Sequence, residues 1–239
     1  MKKTLFALCV ACAMIDLSAF GQPAAQVYTT RHEIADFMEK TTKFVLTGNI
    51  FYDKVLRDAV DTRWEISPYE FCTYGEYQTL KGKPEYYFVV TNISKYPGEE
   101  GSGIRVLDAF KTGTDHNINI VTVPVGNAEE LSEQNVYFFP ILVEFMQEFI
   151  RKATERDSYA YGNLATLASF NKIPRTAEII TDSSKIIEAM ESADPDKVVV
   201  YDICPSNPTY GVSHSYKMYI GCSDHTLYMY KDKKIPKKK

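Results

Sequence analysis

A serine held between two glycines, Gly101-Ser102-Gly103, has the lettering of a nucleophile elbow, in which the serine attacks an acyl carbon. An elbow must sit on a turn from strand into helix. Here the segment that follows, Ile104–Lys111, reads as a strand, so the stretch reads as a loop. It cannot cradle a phosphate either, because no helix amino terminus follows it. Cys72 is the next candidate nucleophile, near the end of an apolar run, where active residues gather in open α/β sheets. A thiol nucleophile needs a histidine beside it to take its proton. None of the four histidines has a spacing that points to Cys72, so a small buried residue is expected there. His214, Cys222, Asp224 and His225 are residue types that zinc accepts. Yet Asp224 and His225 are adjacent and would face different ways if a hairpin ran through them, and no paired short-spacing motif supports the site. The acid pairs Glu99-Glu100 and Glu129-Glu130 have the types for acid–base work. Loop solvation accounts for the first. The second falls in a helix's first turn, where acids suit the dipole. No catalytic residue, metal ligand or cofactor is therefore assigned, and none of Cys72, Ser102, His116, His214 or His225 is expected to carry chemistry. What remains is a set of tyrosines, Tyr159, Tyr161, Tyr210 and Tyr216. Their apolar faces and hydroxyl edges suit stacking on sugar rings, with edge-strand packing as the plain alternative.

The elements that must position these residues are written partly in duplicate. Glu65–Phe71, a short amphipathic helix and Pro84–Val90 form a strand–helix–strand pattern. Thr176–Ile180, a helix and Pro195–Val200 repeat it. Tyr86–Val90 and Val198–Tyr201 are unbroken apolar runs, which suit central strands covered on both faces. Asn49 is placed to cap a helix over Ile50–Arg63, in which Tyr52, Val55, Leu56, Ala59 and Val60, with Trp64 just beyond, recur at helical spacing. Before it come a short polar helix, Thr30–Lys40, and a strand, Lys43–Thr47. Thr73 and Glu76 have capping-box spacing for the first repeat's helix, and Asp182 or Ser183 caps the second. Ile104–Lys111 and Asn117–Val125 form a hairpin, and Tyr216–Gly221 with Thr226–Lys231 form another. Asn127 caps a helical turn with Glu130 in the box position. Pro140 fits the first turn of a longer helix, whose Leu142, Phe145, Met146, Phe149 and Ala153 make it the central packed helix. The expected fold class is mixed α/β (α+β): duplicated strand–helix–strand units, approximately 43–125 and 170–230, with added antiparallel hairpins in one domain over 22–230.

The first residues read as an export signal. Lys2 and Lys3 supply the positive end, Leu5–Ile15 an apolar stretch too short to span a bilayer, and Ala19-Phe20-Gly21 the small residues that precede cleavage before Gln22. Residues 1–21 are thus read as a signal peptide. Val10-Ala11-Cys12 has part of a lipoprotein signal and is the rival reading. No later segment approaches transmembrane length. Net charge is -4, yet Lys231–Lys239 hold six lysines and one aspartate. The body is therefore acidic, which argues against nucleic acid. The basic tail, 231–239, reads as a solvated terminus, with anionic lipid or polysaccharide as its alternative contact. Beyond the signal stand Cys72, Cys204 and Cys222, and an exported protein can oxidise thiols. Cys204–Cys222 is the candidate disulfide.

Phe51–Asn92, FYDKVLRDAVDTRWEISPYEFCTYGEYQTLKGKPEYYFVVTN, resembles a large group of exported proteins from Bacteroides-type gut bacteria. The later stretch AEIITDSSKIIEAMESADPDKVVVYDI is similar too. The likeness consists of packing residues and supplies no catalytic residue. More distantly the unit looks like the α/β module of Tol-system and curli-export envelope proteins, which implies a part in assemblies rather than catalysis. The function expected is a non-enzymatic exported envelope binding or assembly module, periplasmic or associated with the outer surface, whose partner is an envelope protein or glycan. The alternative is a periplasmic hydrolase acting on glycan or peptide. A close His–Cys or Glu–Glu pair in a deep cleft would favour the hydrolase. A shallow aromatic groove or an exposed edge strand would favour binding.

Overall fold

The computed structural model describes residues 30–112, 117–160 and 162–237. The proposed signal with Cys12, the hairpin tip with His116, and Tyr161 lie outside the described residues. Strand β1 (Thr41–Val45) turns Phe44 to one face of its sheet and Val45 to the other. Helix α1 (Ile50–Arg63) follows, and Asn49 caps it by accepting a hydrogen bond from the Tyr52 amide at 3.0 Å. Its stripe of Tyr52, Val55, Leu56, Ala59 and Val60 is buried, as helical periodicity predicts. Strand β2 (Tyr69–Cys72), helix α2 (Tyr74–Leu80) and strand β3 (Tyr86–Ser94) come next. The Thr73–Glu76 capping box closes on α2: the Glu76 amide donates to the Thr73 hydroxyl at 3.2 Å, and the Thr73 amide donates to the Glu76 carboxylate at 2.7 Å. The hairpin of β4 (Ile104–Thr112) and β5 (Asn117–Asn127) completes a five-stranded sheet in the order β2-β1-β3-β4-β5. Strand β1 runs parallel to both β2 and β3, while β3, β4 and β5 pair antiparallel.

Helix α3 (Glu133–Glu155) leads to the short helices α4 (Asp157–Ala160) and α5 (Leu164–Ser169). A second sheet then forms from β6 (Glu178–Ile180), β7 (Lys197–Ile203), β8 (His214–Gly221) and β9 (Leu227–Lys234), in that order, with α6 (Ile186–Glu191) between the first two. Here β6 is parallel to β7, and the remaining pairs are antiparallel. The protein is thus mixed α/β with two mixed sheets. The segments β2-α2-β3-β4-β5 and β6-α6-β7-β8-β9 share the order strand, helix, strand and two antiparallel strands, but only the first is preceded by a strand and helix, β1 and α1. The pairing differs between them: β6 lies directly against β7, whereas β1 is inserted between β2 and β3.

One apolar cluster runs through both halves, and α3 is its centre. Phe138 of α3 stacks on Tyr201 of β7 with centroids 4.2 Å apart, and the Asn135 amide donates to the Tyr201 hydroxyl at 2.7 Å. Phe139 meets Tyr52 of α1 edge-on at 5.7 Å. A smaller cluster of Val45, Cys72, Phe88 and Phe110 lies on the opposite face of the first sheet, beneath Tyr77 and Leu80 of α2. Trp64, Phe88, Phe145, Phe149 and Val199 are buried, while Val90 and Ile187 are partly so.

Five local expectations need correction. Pro140 lies well inside α3 and not in its first turn. Ser132 provides the cap, accepting from the Asn135 amide at 3.2 Å. Asn127 instead accepts from the amides of Glu129 and Glu130 in a turn that does not continue as helix. The helix forgoes one backbone hydrogen bond at Pro140, and its broad buried face offsets that loss. Helix α6 begins without a side-chain cap, because the Asp182 carboxylate accepts from the amide and hydroxyl of Ser184. Arg31–Ile34 and Phe37–Glu39 are two short 3-10 turns where one helix is expected. Finally, Cys204 follows the last residue of β7, and Cys222 follows the residue paired with Val198 near its start. That separates the two by roughly 20 Å of ladder, far beyond the ~7 Å that a disulfide can bridge between Cα atoms. Cys204 and Cys222 are both free.

Asp36, between the two turns, ties the chain start to the sheet. It binds Lys40 at 2.6 Å and Lys111 at 3.1 Å, and accepts a hydrogen bond from the Tyr87 hydroxyl. Burial alone would raise its pKa. Hydrogen bonds from Lys40, Tyr87 and Lys111 outweigh burial and bring it from 3.8 to about 2. A depressed carboxyl contributes stability above its unfolded-state pKa and loses it as pH falls through the folded value. Asp36→Asn is therefore expected to flatten the fall in stability between pH 3.8 and about 2, read from urea midpoints across that window. An unchanged slope would show that this carboxyl does not govern acid sensitivity.

Candidate functional site

The polar side of α3 faces a cleft of about 630 Å³. Its walls are the segment after α1, the α4–α5 region and the turn between β8 and β9. On α3, Glu144 and Glu148 stand one turn apart. Glu144 is held on both oxygens: Arg63 donates to Oε1 at 2.8 Å, and His225 Nδ1 lies 2.8 Å from Oε2. A carboxylate can only accept, so Nδ1 carries the proton and Nε2 is left without it in the neutral ring. Burial works against the Glu148 carboxylate, but Lys152 and Arg151 outweigh it and lower its pKa.

The turn that presents His225 is built locally. The Asp224 carboxylate accepts from the amide of Thr226 at 2.9 Å and from its hydroxyl at 2.6 Å. His225 takes a left-handed backbone, φ 54°, which is uncommon for a residue with a side chain. Gly221 makes room for the turn, since a Cβ there would stand 2.6 Å from Asp224 Oδ1. Asn171 fastens the other wall, donating to the Leu227 carbonyl at 2.9 Å. An aromatic series runs from core to cleft: Phe149 meets Tyr159 at 6.3 Å, and Tyr159 stacks on Phe170 at 5.3 Å. Phe170 is 61% exposed.

A neutral imidazole oriented by a carboxylate has the form of a general base. Among the described residues no serine or cysteine lines the cleft, and the Thr226 hydroxyl is already donated to Asp224. Such a base would have to act on water. Among the described residues no group of three or more potential ligands gathers to hold a metal ion.

The residues singled out from the sequence scatter. Tyr159 is 3% exposed and Tyr216 9%, so neither ring is free to stack broadly on a ligand, although Tyr159 forms part of the cleft floor. Tyr210 is 44% exposed, on the loop between β7 and β8 and away from the cleft-lining residues. His214 lies at the far end of β8 from His225, stacked on Tyr96 at 3.7 Å and bound to Asp232 at 2.5 Å, so the four zinc-type residues do not share a site. Cys72 is buried in the smaller cluster, and burial raises its thiol pKa. The crevice at the carboxyl end of β1, where open α/β sheets commonly bind ligand anions, is filled from within. The amides of Thr47 and Gly48 donate to the Asp53 carboxylate at 2.8 and 2.9 Å. Ser102 lies in the loop between β3 and β4, 3.2 Å from Ser206.

Glu144 and His225 were not among the paired residues expected to meet. No protein-family model matches this chain, and no curated protein or solved structure matches it. No helix among the described residues is long and apolar enough to cross a membrane.

Proposed function

We propose that the protein is a non-enzymatic, exported binding module of the cell envelope, and that the cleft beside α3 is its ligand site. One observation carries the choice of site: the exposed Phe170 ring, stacked on Tyr159 and bordered by polar groups such as Gln147, Asn171 and Arg151. A flat apolar ring beside amide and charged groups suits a glycan or a peptide, whose surfaces mix C–H patches with hydrogen-bonding edges. The envelope location rests on the signal-like first residues and on the resemblance to exported proteins.

A hydrolase acting on glycan or peptide is the second reading, and the Glu144–His225 pair favours it. The purified mature protein, screened against envelope glycans and peptides by calorimetry and against ester and peptide substrates for turnover, separates the two. Saturable binding is expected, weakened about fivefold or more by Phe170→Ala through the lost aromatic face. Turnover that vanishes in both His225→Ala and Glu144→Gln, with circular dichroism unchanged, would establish the hydrolase. Binding that survives Phe170→Ala intact would move the site elsewhere.

A further inference from the structure

The second sheet has one face turned to α3 and one that is not. Val199, Tyr201, Met218 and Ile220 lie in the main apolar cluster, as do the buried residues of α5 and α6. Register places Ile179, Val198, Val200, Tyr219 and Met229 on the opposite face. Val198 and Val200 belong to neither apolar cluster but are buried, so the accessible part of this stripe is Ile179, Tyr219 and Met229. Beside this stripe, on the same face, stand Lys217, Lys231 and Lys233, with Asp202 opposite Lys217.

Lys217 and Lys231 are directly opposite each other across the β8–β9 ladder. Like charges in that position destabilise a sheet. Lys217 is offset by Asp202 at 3.1 Å. Lys231 lies over the Tyr219 ring, 5.9 Å from its centroid. Among the described residues neither Lys231 nor Lys233 forms an ion pair. Lysines on an edge strand can simply block pairing with other chains. That accounts for β9, while on β8, an interior strand, Lys217 answers Asp202 of β7 on the same face. Lys234 and Lys237 extend the basic region at the strand end, on a chain whose net charge is -4.

We propose that this face docks on an anionic phospholipid bilayer, with the three lysines at the headgroup phosphates and Tyr219 and Met229 at the interfacial layer. Charge complementarity selects an anionic surface, and the acidic remainder of the chain, repelled by it, orients the contact. Tyrosine flanked by lysine stems is suited to the boundary between headgroup and hydrocarbon, where ring and alkyl stem meet an apolar layer and the polar ends stay wet. A sheet face also offers an extended platform, which matches a bilayer surface better than a single acidic side chain.

Co-sedimentation tests this on the mature protein with phosphatidylcholine vesicles and with vesicles containing roughly one third phosphatidylglycerol. Binding is expected only to the second, and should fall as salt is raised. A triple variant, Lys217→Gln with Lys231→Gln and Lys233→Gln, is expected to lose about 100-fold in affinity, from roughly fivefold per lysine. Circular dichroism and thermal midpoint check its fold, and Lys233→Gln alone is a mild second variant expected to lose about fivefold. Three results would overturn the proposal. One is no preference for phosphatidylglycerol. Another is full binding by a folded triple variant, with loss only on truncation after Lys234. The third is binding to a soluble acidic polymer such as polyglutamate or heparin but to neither vesicle.

Discussion

Phe149→Ala is expected to destabilise the protein by about 3–5 kcal/mol, the usual loss when a large aromatic leaves a cavity in a packed core. Phe149 has no exposed surface and lies on α3, which packs on both α1 and β5 and reaches Tyr201 of the second sheet through Phe138. Its environment cannot close over the gap by moving one wall, because α3 is shared by both halves of the core. Urea unfolding measures the effect. A loss below about 1 kcal/mol would make α3 peripheral. A second consequence reaches the cleft. Phe149 supports Tyr159, which supports the exposed Phe170 ring. A cleft ligand should therefore bind more weakly in this variant, although Phe149 is not among the cleft-lining residues.

The parts of this fold that were legible in the sequence are those whose signals are local. Helix α1 has the bounds read from its cap and periodic apolar positions, because Asn49 and the stripe from Tyr52 to Val60 act within four residues of one another. The Thr73–Glu76 box is legible for the same reason. Misreadings arise where two local signals compete. Asn127 with Glu130 reads as a helix start, but the helix begins after Ser132, where the chain becomes buried. The shared strand–helix–strand order was readable, but the insertion of β1 between β2 and β3 was not, since parallel pairing is made through crossovers and leaves no mark on adjacent residues. Some errors were avoidable. Tyr216, Met218 and Ile220 alternate along β8, so a period of two already puts Tyr216 on the core face. An antiparallel hairpin likewise sends Cys204 and Cys222 to opposite ends. The cleft is different. Glu144 and His225 are 81 positions apart. The only local trace of Glu144 is a polar residue beside an otherwise apolar helix face. The role of His225 depends on a left-handed turn that its own letter does not announce.

Gly101→Ala is expected to be the second severe substitution, at about 3–5 kcal/mol, and for a reason unrelated to the core. The loop between β3 and β4 lies against the loop between β7 and β8 and joins the two sheets at their surface. The amides of Glu100 and Gly101 both donate to the Thr209 hydroxyl, at 2.9 and 3.1 Å. Close by, the Ser206 hydroxyl donates to Glu129 at 2.6 Å and the Tyr96 hydroxyl donates to Asp232 at 2.8 Å. A Cβ on Gly101 would stand 1.9 Å from the Asn207 carbonyl oxygen, an atom fixed in the backbone. The loops must separate to admit it. Overpacking of this kind costs about 1–3 kcal/mol, and each of the two hydrogen bonds lost adds about 1 kcal/mol. Thr209→Val is the informative companion. It removes the acceptor of both bonds without placing an atom in the gap, so it should cost about 2 kcal/mol. If Gly101→Ala proves no worse than Thr209→Val in urea, the close approach at Asn207 is not what makes glycine necessary here. If it is worse by 1–3 kcal/mol, as expected, steric exclusion sets that position. Amide exchange at Glu100 and Gly101 should then quicken in both variants, while exchange in α3 stays slow, because the seam opens without the shared core.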